Sequence, residues 1–146
     1  VPEGKDDGNP NWCGIHRDQG LFTGLIAPMY KKDRQVVDKP DGVGLYIRNQ
    51  EIKVPDDVVI FQVGEVADLL TNQGVIATDH HVKKAYGSHE RYSFALFFAV
   101  DDNMRMYSER VDPQYQSRFK NGMTYKEWTE VSLKRYAYQE ESKNPQ

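Results

Sequence analysis

A histidine and an aspartate stand two residues apart near the start of the chain, in Gly-Ile-His-Arg-Asp-Gln-Gly at residues 14–20. Successive side chains of a β-strand point to opposite faces, so residues i and i+2 share a face. If a strand ends near Asp18, the side chains of His16 and Asp18 converge and that of Arg17 points away. The pair therefore predicts part of a metal site whose third ligand comes from elsewhere in the chain.

The remaining histidines are His80, His81 and His89. His80 shares a strand face with Val82, and if that face is the buried one, His80 points inward and His81 outward. His80 is then the preferred third ligand. Two histidines and one carboxylate on one face of an octahedron leave three positions open, as in non-haem Fe(II) sites that hold a cosubstrate and O2 together. The alternative is that these side chains are ordinary hydrogen-bonded polar groups, the commoner role of a histidine in a strand.

A second pair follows eleven residues after His80, where Arg91 and Ser93 share one face of a predicted strand. A guanidinium group can bind both oxygens of a carboxylate, and a neighbouring hydroxyl adds a further donor. The pair is therefore a candidate receptor for a carboxylate. Considered alone, Arg91 would be interpreted as a surface arginine at the start of a strand.

The triplet His-Arg-Asp also occurs in the catalytic loop of protein kinases. There, an asparagine five residues after the aspartate and a downstream Asp-Phe-Gly hold the magnesium ions. In this chain the first position is Thr23, and the sequence contains no Asp-Phe-Gly. The pattern also indicates strands where a kinase lobe is mostly helical, so a kinase is excluded.

Length and composition predict one globular domain, with 146 residues of which 38% are hydrophobic. The net charge of -3, with basic residues scattered among acidic ones, argues against nucleic acid as a partner. Cys13 is the single cysteine, so an internal disulfide is excluded and a reducing, cytoplasmic setting is expected. No window approaches the roughly 18 apolar residues of a membrane span, and no membrane partner is expected.

The spacing of apolar residues predicts strands over most of the chain. Residues 1–11 are rich in Gly, Pro, Asp and Asn and predict a loop. Over residues 12–100, short apolar runs alternate with turn residues, which favours a mainly β sandwich or barrel, the jelly roll included. One short segment, Glu65 to Thr71, predicts a helical turn.

The end of the chain predicts a helix over residues 124–138. Thr124 followed three residues later by Glu127 is a capping-box pattern. The side chains at helical spacing on one face are Tyr125, Trp128, Val131 and Arg135. We expect a helix from about Tyr125 to Tyr138 whose aromatic stripe packs against the sheet rather than binding a ligand.

The order of these motifs resembles the Fe(II)/2-oxoglutarate-dependent dioxygenases, in particular their plant-type, isopenicillin N synthase-like branch. The branch pattern His-x-Asp-x-Gly-x-x-Thr-x-Leu is matched in HRDQGLFTGL by His16, Asp18, Gly20, Thr23 and Leu25. Its Gly-Leu strand resembles VGLYI, and its Gly-Asp pair followed by Leu-Thr-Asn-Gly resembles VVIFQVGEVADLLTNQG. Its His-Arg-Val and Arg-x-Ser resemble HHV and RYS. The four motifs occur in the family's order.

The resemblance implies a double-stranded β-helix (jelly-roll, cupin-like) core over residues 12–100, with iron bound by His16, Asp18 and His80. It also implies that Arg91 and Ser93 hold the far carboxylate of the cosubstrate, 2-oxoglutarate. The implied activity oxidises a small organic substrate with O2, with hydroxylation as the expected outcome, and releases succinate and CO2. Because Asp18 is present, a halogenase, which leaves that position for chloride, is not expected.

The sequence does not identify the substrate-binding residues. Met29, Tyr30 and Phe94 can line the pocket, although apolar residues in strands more often belong to the core. Two alternatives also stay open: a non-catalytic cupin-like module that binds a small molecule or protein, and an oxidase of the same fold that does not use 2-oxoglutarate.

The chain departs from the family pattern in details and in length. Glu65 stands where Asp is usual, Gln73 is inserted before Gly74, and His81 replaces the Arg after the distal histidine. None of these removes a ligand. Members of the branch carry a substantial N-terminal region, so we expect residues 1–146 to be a single domain that forms the C-terminal catalytic portion of a longer dioxygenase. A jelly roll that lacks a strand exposes an edge.

Overall fold

The computed structural model describes residues 8–141, with side chains described as far as Lys134. The chain is mainly β, and none of its ten strands is longer than six residues among those described. The strands are Asn11–His16 (β1), Phe22–Leu25 (β2), Met29–Lys32 (β3), Gln35–Val37 (β4), Gly44–Ile47 (β5), Gln50–Glu51 (β6), Ile60–Val63 (β7), His80–Lys83 (β8), His89–Tyr92 (β9) and Ala95–Phe98 (β10). The helices are Glu65–Leu70 (α1) and Tyr125–Glu141 (α2).

The strands form three sheets, with the orders β1-β8-β5-β6, β4-β3-β9 and β10-β2-β7. The pairings of β1 and β5 with β8, and of β3 with β9, are antiparallel. A mainly β fold with antiparallel sheets and a C-terminal helix, as predicted, is thereby confirmed. These pairings join strands that are far apart in sequence, which brings the predicted functional residues together.

Two tight turns close the local hairpins. Asp33 and Arg34, between β3 and β4, have φ of 50° and 66°, and Arg48 and Asn49, between β5 and β6, have φ of 48° and 65°. Successive positive φ values give the twist that suits a two-residue hairpin connection. Each turn therefore fixes the register of the strands that it joins.

The chain divides into two compact units, which are described separately. Unit 1 comprises residues 1–17, 24–62 and 78–96, and unit 2 comprises residues 18–23, 63–77 and 97–146. The core of unit 1 consists of Tyr30, Val43 and Ala85, with Trp12 and Val37 packed against it. The predicted leading loop falls in part on residues 1–7, which lie outside the described residues, and β1 begins at Asn11.

The core of unit 2 is aromatic and contains the stripe of α2. Trp128 is fully buried and meets the rings of Tyr115 and Phe119 edge to face. These rings pack with Val66 and Leu69 of α1. The stripe therefore packs on α1 and on the segment before α2, and not against a sheet as expected. The side chain of Arg135 lies outside those described.

The predicted capping box of α2 is confirmed. The backbone N–H of Thr124 donates to Glu127 Oε2 at 2.7 Å, and the backbone N–H of Glu127 donates to Thr124 Oγ1 at 3.2 Å. Hydrogen bonds to the Glu127 carboxylate, first from the Thr124 backbone N–H and then from the Thr124 side chain, hold the pKa of Glu127 below its ordinary value of 4.5. The helix begins at Tyr125 as predicted and continues to Glu141, three residues past the predicted end.

α1 is a single short helix bounded by residues suited to its ends. It begins after Gly64 and ends at Leu70, where Asn72 and Gln73 adopt φ of 52° and 63°. The helical turn predicted over Glu65 to Thr71 is thus confirmed. In the described part of the chain, no helix has the length and apolar character of a membrane span.

Candidate metal and cosubstrate site

His16 and His80 face each other across two paired strands. His16 is the last residue of β1 and lies opposite His80, the first residue of β8. Directly opposed residues of an antiparallel pair project from the same face of the sheet. Their imidazole centroids are 4.3 Å apart. The strand pairing therefore brings together two histidines separated by most of the chain.

Asp18 follows two residues after His16, where the chain has left β1. One ligand atom from each of His16, Asp18 and His80 lies within 4.8 Å of the other two. Ligands that are each about 2.1 Å from one ion and share one face of an octahedron lie about 3.0 Å apart. The side chains must therefore approach one another by up to about 1.8 Å to hold one ion. The donor set, two imidazoles and a carboxylate, fits an Fe(II) ion.

Both imidazoles present the same nitrogen for binding. His16 Nδ1 lies 2.8 Å from the carbonyl oxygen of Gly14, and His80 Nδ1 lies 3.2 Å from that of Thr78. Because a carbonyl oxygen only accepts, each Nδ1 donates, and in the neutral imidazole Nε2 is then the nitrogen with the lone pair. A backbone carbonyl that fixes the tautomer in this way is the usual partner of a metal-binding histidine.

The segment after Asp18 is held by α1 within unit 2. The backbone N–H of Glu65 donates to the carbonyl oxygen of Asp18 at 2.8 Å, and that of Val66 donates to Gly20 at 3.1 Å. A Cβ atom on Gly64 would overlap the carbonyl oxygen of Gly20. A Cβ atom on Gly20 would lie 2.9 Å from the carbonyl oxygen of Phe98. Two glycines therefore permit the close backbone approach that follows the aspartate.

The side chain of Glu65 anchors α1. It makes a two-pronged ion pair with Arg118, with Nη1–Oε2 at 3.1 Å and Nη2–Oε1 at 3.0 Å. Arg118 also donates to Ser132 at 2.7 Å and lies over the ring of Trp128. The position that is usually Asp in the family pattern is thus occupied by a buried structural carboxylate.

Arg17 has a defined partner. Its Nε donates to Oδ1 of Asp79 at 3.2 Å, and its side chain is only 11% exposed. The sequence predicts only that Arg17 points away from the ligands, and it gives no sign of this ion pair. Sequence reasoning missed it because the pairing of β1 with β8 is needed to place residue 17 beside residue 79.

His81 is buried, so the expectation that it points outward needs correction. It lies opposite Tyr46 of β5, and the two rings stack at a centroid distance of 5.4 Å. Alternation does place His81 on the other face of β8 from His80, but Tyr46 covers that face. His89 lies elsewhere on β9, where its Nδ1 is 2.8 Å from the carbonyl oxygen of Tyr86. Neither histidine is in the group formed by His16, Asp18 and His80.

Arg91 and Ser93 are in direct contact. Arg91 Nη1 donates to Ser93 Oγ at 2.9 Å. Both line a pocket of about 210 Å³ in unit 1, whose other polar lining residues are Tyr30, Lys39, Lys53 and Asp56. Tyr30 lines this pocket, whereas Met29 and Phe94 are not in its lining and are 41% and 60% exposed. The pair is therefore placed in a cavity large enough for a small anion.

Lys39 is already neutralised within this pocket. Its Nζ lies 2.6 Å from Glu51 Oε1 and donates to the carbonyl oxygen of Val43 at 2.9 Å. The hydrogen bond from Lys39 holds the pKa of Glu51 below its ordinary value of 4.5. Arg91, by contrast, donates to a neutral hydroxyl.

No protein-family model matches the sequence, and no curated protein matches it. Solved structures do share its fold. The full-length Neurospora crassa protein solved with alpha-KG (2-oxoglutarate) matches with a TM-score of 0.59 at 19% identity, over 90% of this chain and 39% of that one. A Caulobacter crescentus protein assigned to the 2OG-Fe(II) oxygenase family matches with a TM-score of 0.57 at 18% identity, over 93% of this chain and 42% of that one.

A second Neurospora crassa structure, solved with alpha-KG and thymine, matches with a TM-score of 0.56 at 19% identity, over 88% of this chain and 39% of that one. This chain therefore spans about two fifths of the length of the structures that it matches. At 18–19% sequence identity, this similarity shows only that the fold is shared. The comparisons show a chain that folds like part of the 2-oxoglutarate- and Fe(II)-dependent oxygenases.

Proposed function

We propose that this chain carries the iron and cosubstrate site of a non-haem Fe(II)- and 2-oxoglutarate-dependent oxygenase. The observation that supports this most directly is the convergence of His16, Asp18 and His80, with both imidazoles presenting Nε2. The pocket that contains Arg91 and Ser93 supports the cosubstrate half of the proposal. The jelly-roll core and the plant-type branch belong to the same proposal, on the basis of the motif order and the fold likeness.

Iron bound by these residues supplies O2 activation, in which 2-oxoglutarate gives two electrons and becomes succinate and CO2 while a small organic substrate is oxidised, with hydroxylation expected. The protein's residues prepare that chemistry. Backbone carbonyls orient the rings of His16 and His80, and Asp18 supplies a carboxylate ligand. Arg91 balances the charge of the cosubstrate's far carboxylate, and Ser93 adds a hydroxyl donor.

Anaerobic titration with Fe(II) and 2-oxoglutarate tests the proposal. We expect a weak visible charge-transfer band in the wild-type chain, and its loss in His80→Ala. His89→Ala is the matched control, because that histidine lies outside the ligand group, and it should keep the band. A wild-type chain, or the longer natural protein, that binds Fe(II) and 2-oxoglutarate without this band contradicts the proposal.

Oxygen consumption separates the competing functions. An oxidase of the same fold consumes O2 without 2-oxoglutarate, whereas the proposed oxygenase requires it and forms succinate. A non-catalytic binding module consumes no O2 under either condition. We expect slow succinate formation even without the natural substrate, measured against the His80→Ala variant.

We also propose that this domain is the C-terminal catalytic portion of a longer dioxygenase. The matched structures are more than twice its length. Among the described strands, β9 and β10 each end a sheet, and Tyr92 of β9, Phe94 between the two strands and Leu96 of β10 are 48%, 60% and 49% exposed. Exposed apolar side chains at sheet edges favour pairing with further polypeptide. Hydrogen exchange at residues 92–96 should slow in a longer natural chain, and unchanged exchange there contradicts the proposal.

A further inference from the structure

The backbone that follows the proposed ligand Asp18 is held by hydrogen bonds within unit 2. The carbonyl oxygens of residues 18, 20 and 21 accept from backbone N–H groups of residues 64–66, at 2.8 to 3.1 Å. The carbonyl oxygen of Gln19 accepts instead from a side chain, the indole Nε1–H of Trp128, at 3.1 Å. Four successive carbonyl groups are thus engaged, and one of them by the C-terminal helix α2.

The ring of Trp128 is fixed by its packing. Its side chain is fully buried. The rings of Tyr115 and Phe119 meet it edge to face, with centroids 5.9 Å and 6.1 Å away. A side chain packed on several sides in a dense interior keeps one rotamer. The direction of the indole N–H is therefore set by the core of unit 2.

Arg118 connects Trp128 to α1. Its guanidinium group lies over the indole ring, 4.6 Å from the ring centroid, where a cation is attracted to the ring face. The same group makes the two-pronged ion pair with Glu65. The backbone N–H of Glu65 donates to the carbonyl oxygen of Asp18. One arginine therefore contacts both residues whose N–H groups hold the carbonyl oxygens of residues 18 and 19.

These two carbonyl groups bear on the orientation of Asp18. A peptide group is planar, so the backbone next to Asp18 can change direction only through its φ and ψ angles. Hydrogen bonds to the carbonyl oxygens of residues 18 and 19 restrict ψ of both residues. Strand pairing does not do this, because β1 ends at His16. The direction of the Asp18 side chain therefore depends on the donors in unit 2.

We propose that the indole N–H of Trp128 positions Asp18 as a metal ligand, so that the C-terminal helix belongs to the metal site without contacting the ion. The inference rests on the proposed function. Loss of a group that holds a ligand in place lowers metal affinity about 10- to 100-fold. The competing explanation is that Gln19 only satisfies the hydrogen bond that a buried indole N–H needs.

The test removes the indole N–H and keeps the ring. The chain has two tryptophans, so Trp12→Phe leaves Trp128 as the remaining one. Benzothienylalanine, in which sulfur replaces the indole N–H, is then incorporated at position 128 of the Trp12→Phe chain. The same chain with ordinary tryptophan is the matched control. Since the ring is retained, the melting temperature without metal should fall by less than about 8 °C.

Two metal ions separate an effect on the carboxylate from a general loosening of the structure. Mn(II) favours carboxylate oxygen, whereas Ni(II) favours imidazole nitrogen. Isothermal titration should show that removal of the N–H weakens Mn(II) binding about tenfold and Ni(II) binding less than about threefold. Asp18→Ala should also weaken Mn(II) binding more than Ni(II) binding. Unchanged affinities, equal losses for the two ions, or a larger loss for Ni(II) overturn the positioning role of Trp128.

The wild-type titrations distinguish failure of this inference from failure of the proposed function. If the wild-type chain binds Mn(II), His80→Ala abolishes that binding, and removal of the indole N–H changes nothing, the role of Trp128 is overturned and the proposed metal site stands. If the wild-type chain binds neither Mn(II) nor Ni(II), the proposed function is overturned, and the role of Trp128 with it.

Discussion

Arg17, which lies between two of the proposed ligands in sequence, pairs with Asp79, the residue before the third. Its Nε lies 3.2 Å from Asp79 Oδ1, and the arginine side chain is nearly buried. The ion pair therefore links the end of β1 to the start of β8, where His16 and His80 stand. A contact of this kind positions ligands without touching the ion.

Asp79→Asn should lower Mn(II) affinity about tenfold while all three ligands remain. The ion pair is partly exposed at Asp79, so its loss should cost no more than about 1 kcal/mol of unfolding free energy. Isothermal titration with Mn(II) measures the affinity, and urea denaturation measures the stability. Asp57→Asn, an equal change of charge at an exposed position, is the control. Equal affinities for the two variants argue against a positioning role.

Replacing a proposed ligand should have a larger effect. His16→Ala removes one of the two imidazoles and should weaken Mn(II) binding more than about a hundredfold, beyond the range expected for the groups that only support ligands. Electron paramagnetic resonance of added Mn(II) reports free and bound ion directly. His89→Ala should bind Mn(II) like the wild-type chain. A His16→Ala chain that binds with undiminished affinity excludes this residue as a ligand.

Arg91→Lys should weaken 2-oxoglutarate binding about tenfold or more, although the charge is retained, because an ammonium group cannot make the paired hydrogen bonds of a guanidinium group. Mn(II) affinity should not change. The measurement is titration of the Mn(II)-loaded chain, with Arg110→Lys, an exposed arginine of unit 2, as the control. If Lys at position 91 binds 2-oxoglutarate as well as Arg does, the pocket is not the carboxylate receptor.

The capping box of α2 predicts a pH dependence of stability. The folded-state pKa of Glu127 is lowered, so its contribution is fully present above its ordinary value of 4.5 and is lost as pH falls through the folded pKa. Thr124→Ala should lower the free energy of unfolding by about 1 kcal/mol at pH 7. Urea denaturation gives the free energy of unfolding at pH 7 and at acid pH. The difference in this free energy between Glu127→Gln and the wild-type chain should be smaller at acid pH. A difference that stays constant with pH contradicts the role of the Glu127 charge.

Glu65→Gln should strongly destabilise the chain. Glu65 and Arg118 are both nearly buried, with side chains 5% and 11% exposed, and removal of one charge leaves the other unpaired. Breaking a buried pair costs about 3–5 kcal/mol. Chemical denaturation measures the loss, and Glu109→Gln, at an exposed position, should change stability little. A cost below about 1 kcal/mol means that Arg118 finds other partners.

The ligand types and their order along the chain could be predicted from sequence, but their convergence could not be derived from alternation alone. The pairing of β1 with β8 shifts register between Asn11 and Cys13 and again between Cys13 and His16. β1 also ends at His16, so Asp18 does not share a strand face with it. The position of Asp18 depends instead on the backbone of Glu65, a contact between distant segments that no local pattern encodes.

Tyr30 is a second residue whose place in the structure could not be predicted from the sequence alone. In the sequence it ends an apolar run and is compatible with the core, which its ring does join. Only the register of β3 with β9 reveals that Tyr30 lies opposite Arg91 and lines the same pocket. The capping box of α2, by contrast, depends on residues three positions apart and was predictable because both partners lie within one helical turn.

The close backbone approach at Gly20 and Gly64 restricts how this chain can be altered by directed evolution. Any side chain at position 64 collides with the Gly20 carbonyl group, and one at position 20 is crowded by Phe98. Saturation libraries aimed at new substrates can vary the residues around the pocket, but selected clones should retain glycine at both positions. Positions 20 and 64 should therefore be kept as glycine, and sequence diversity should be introduced at other positions.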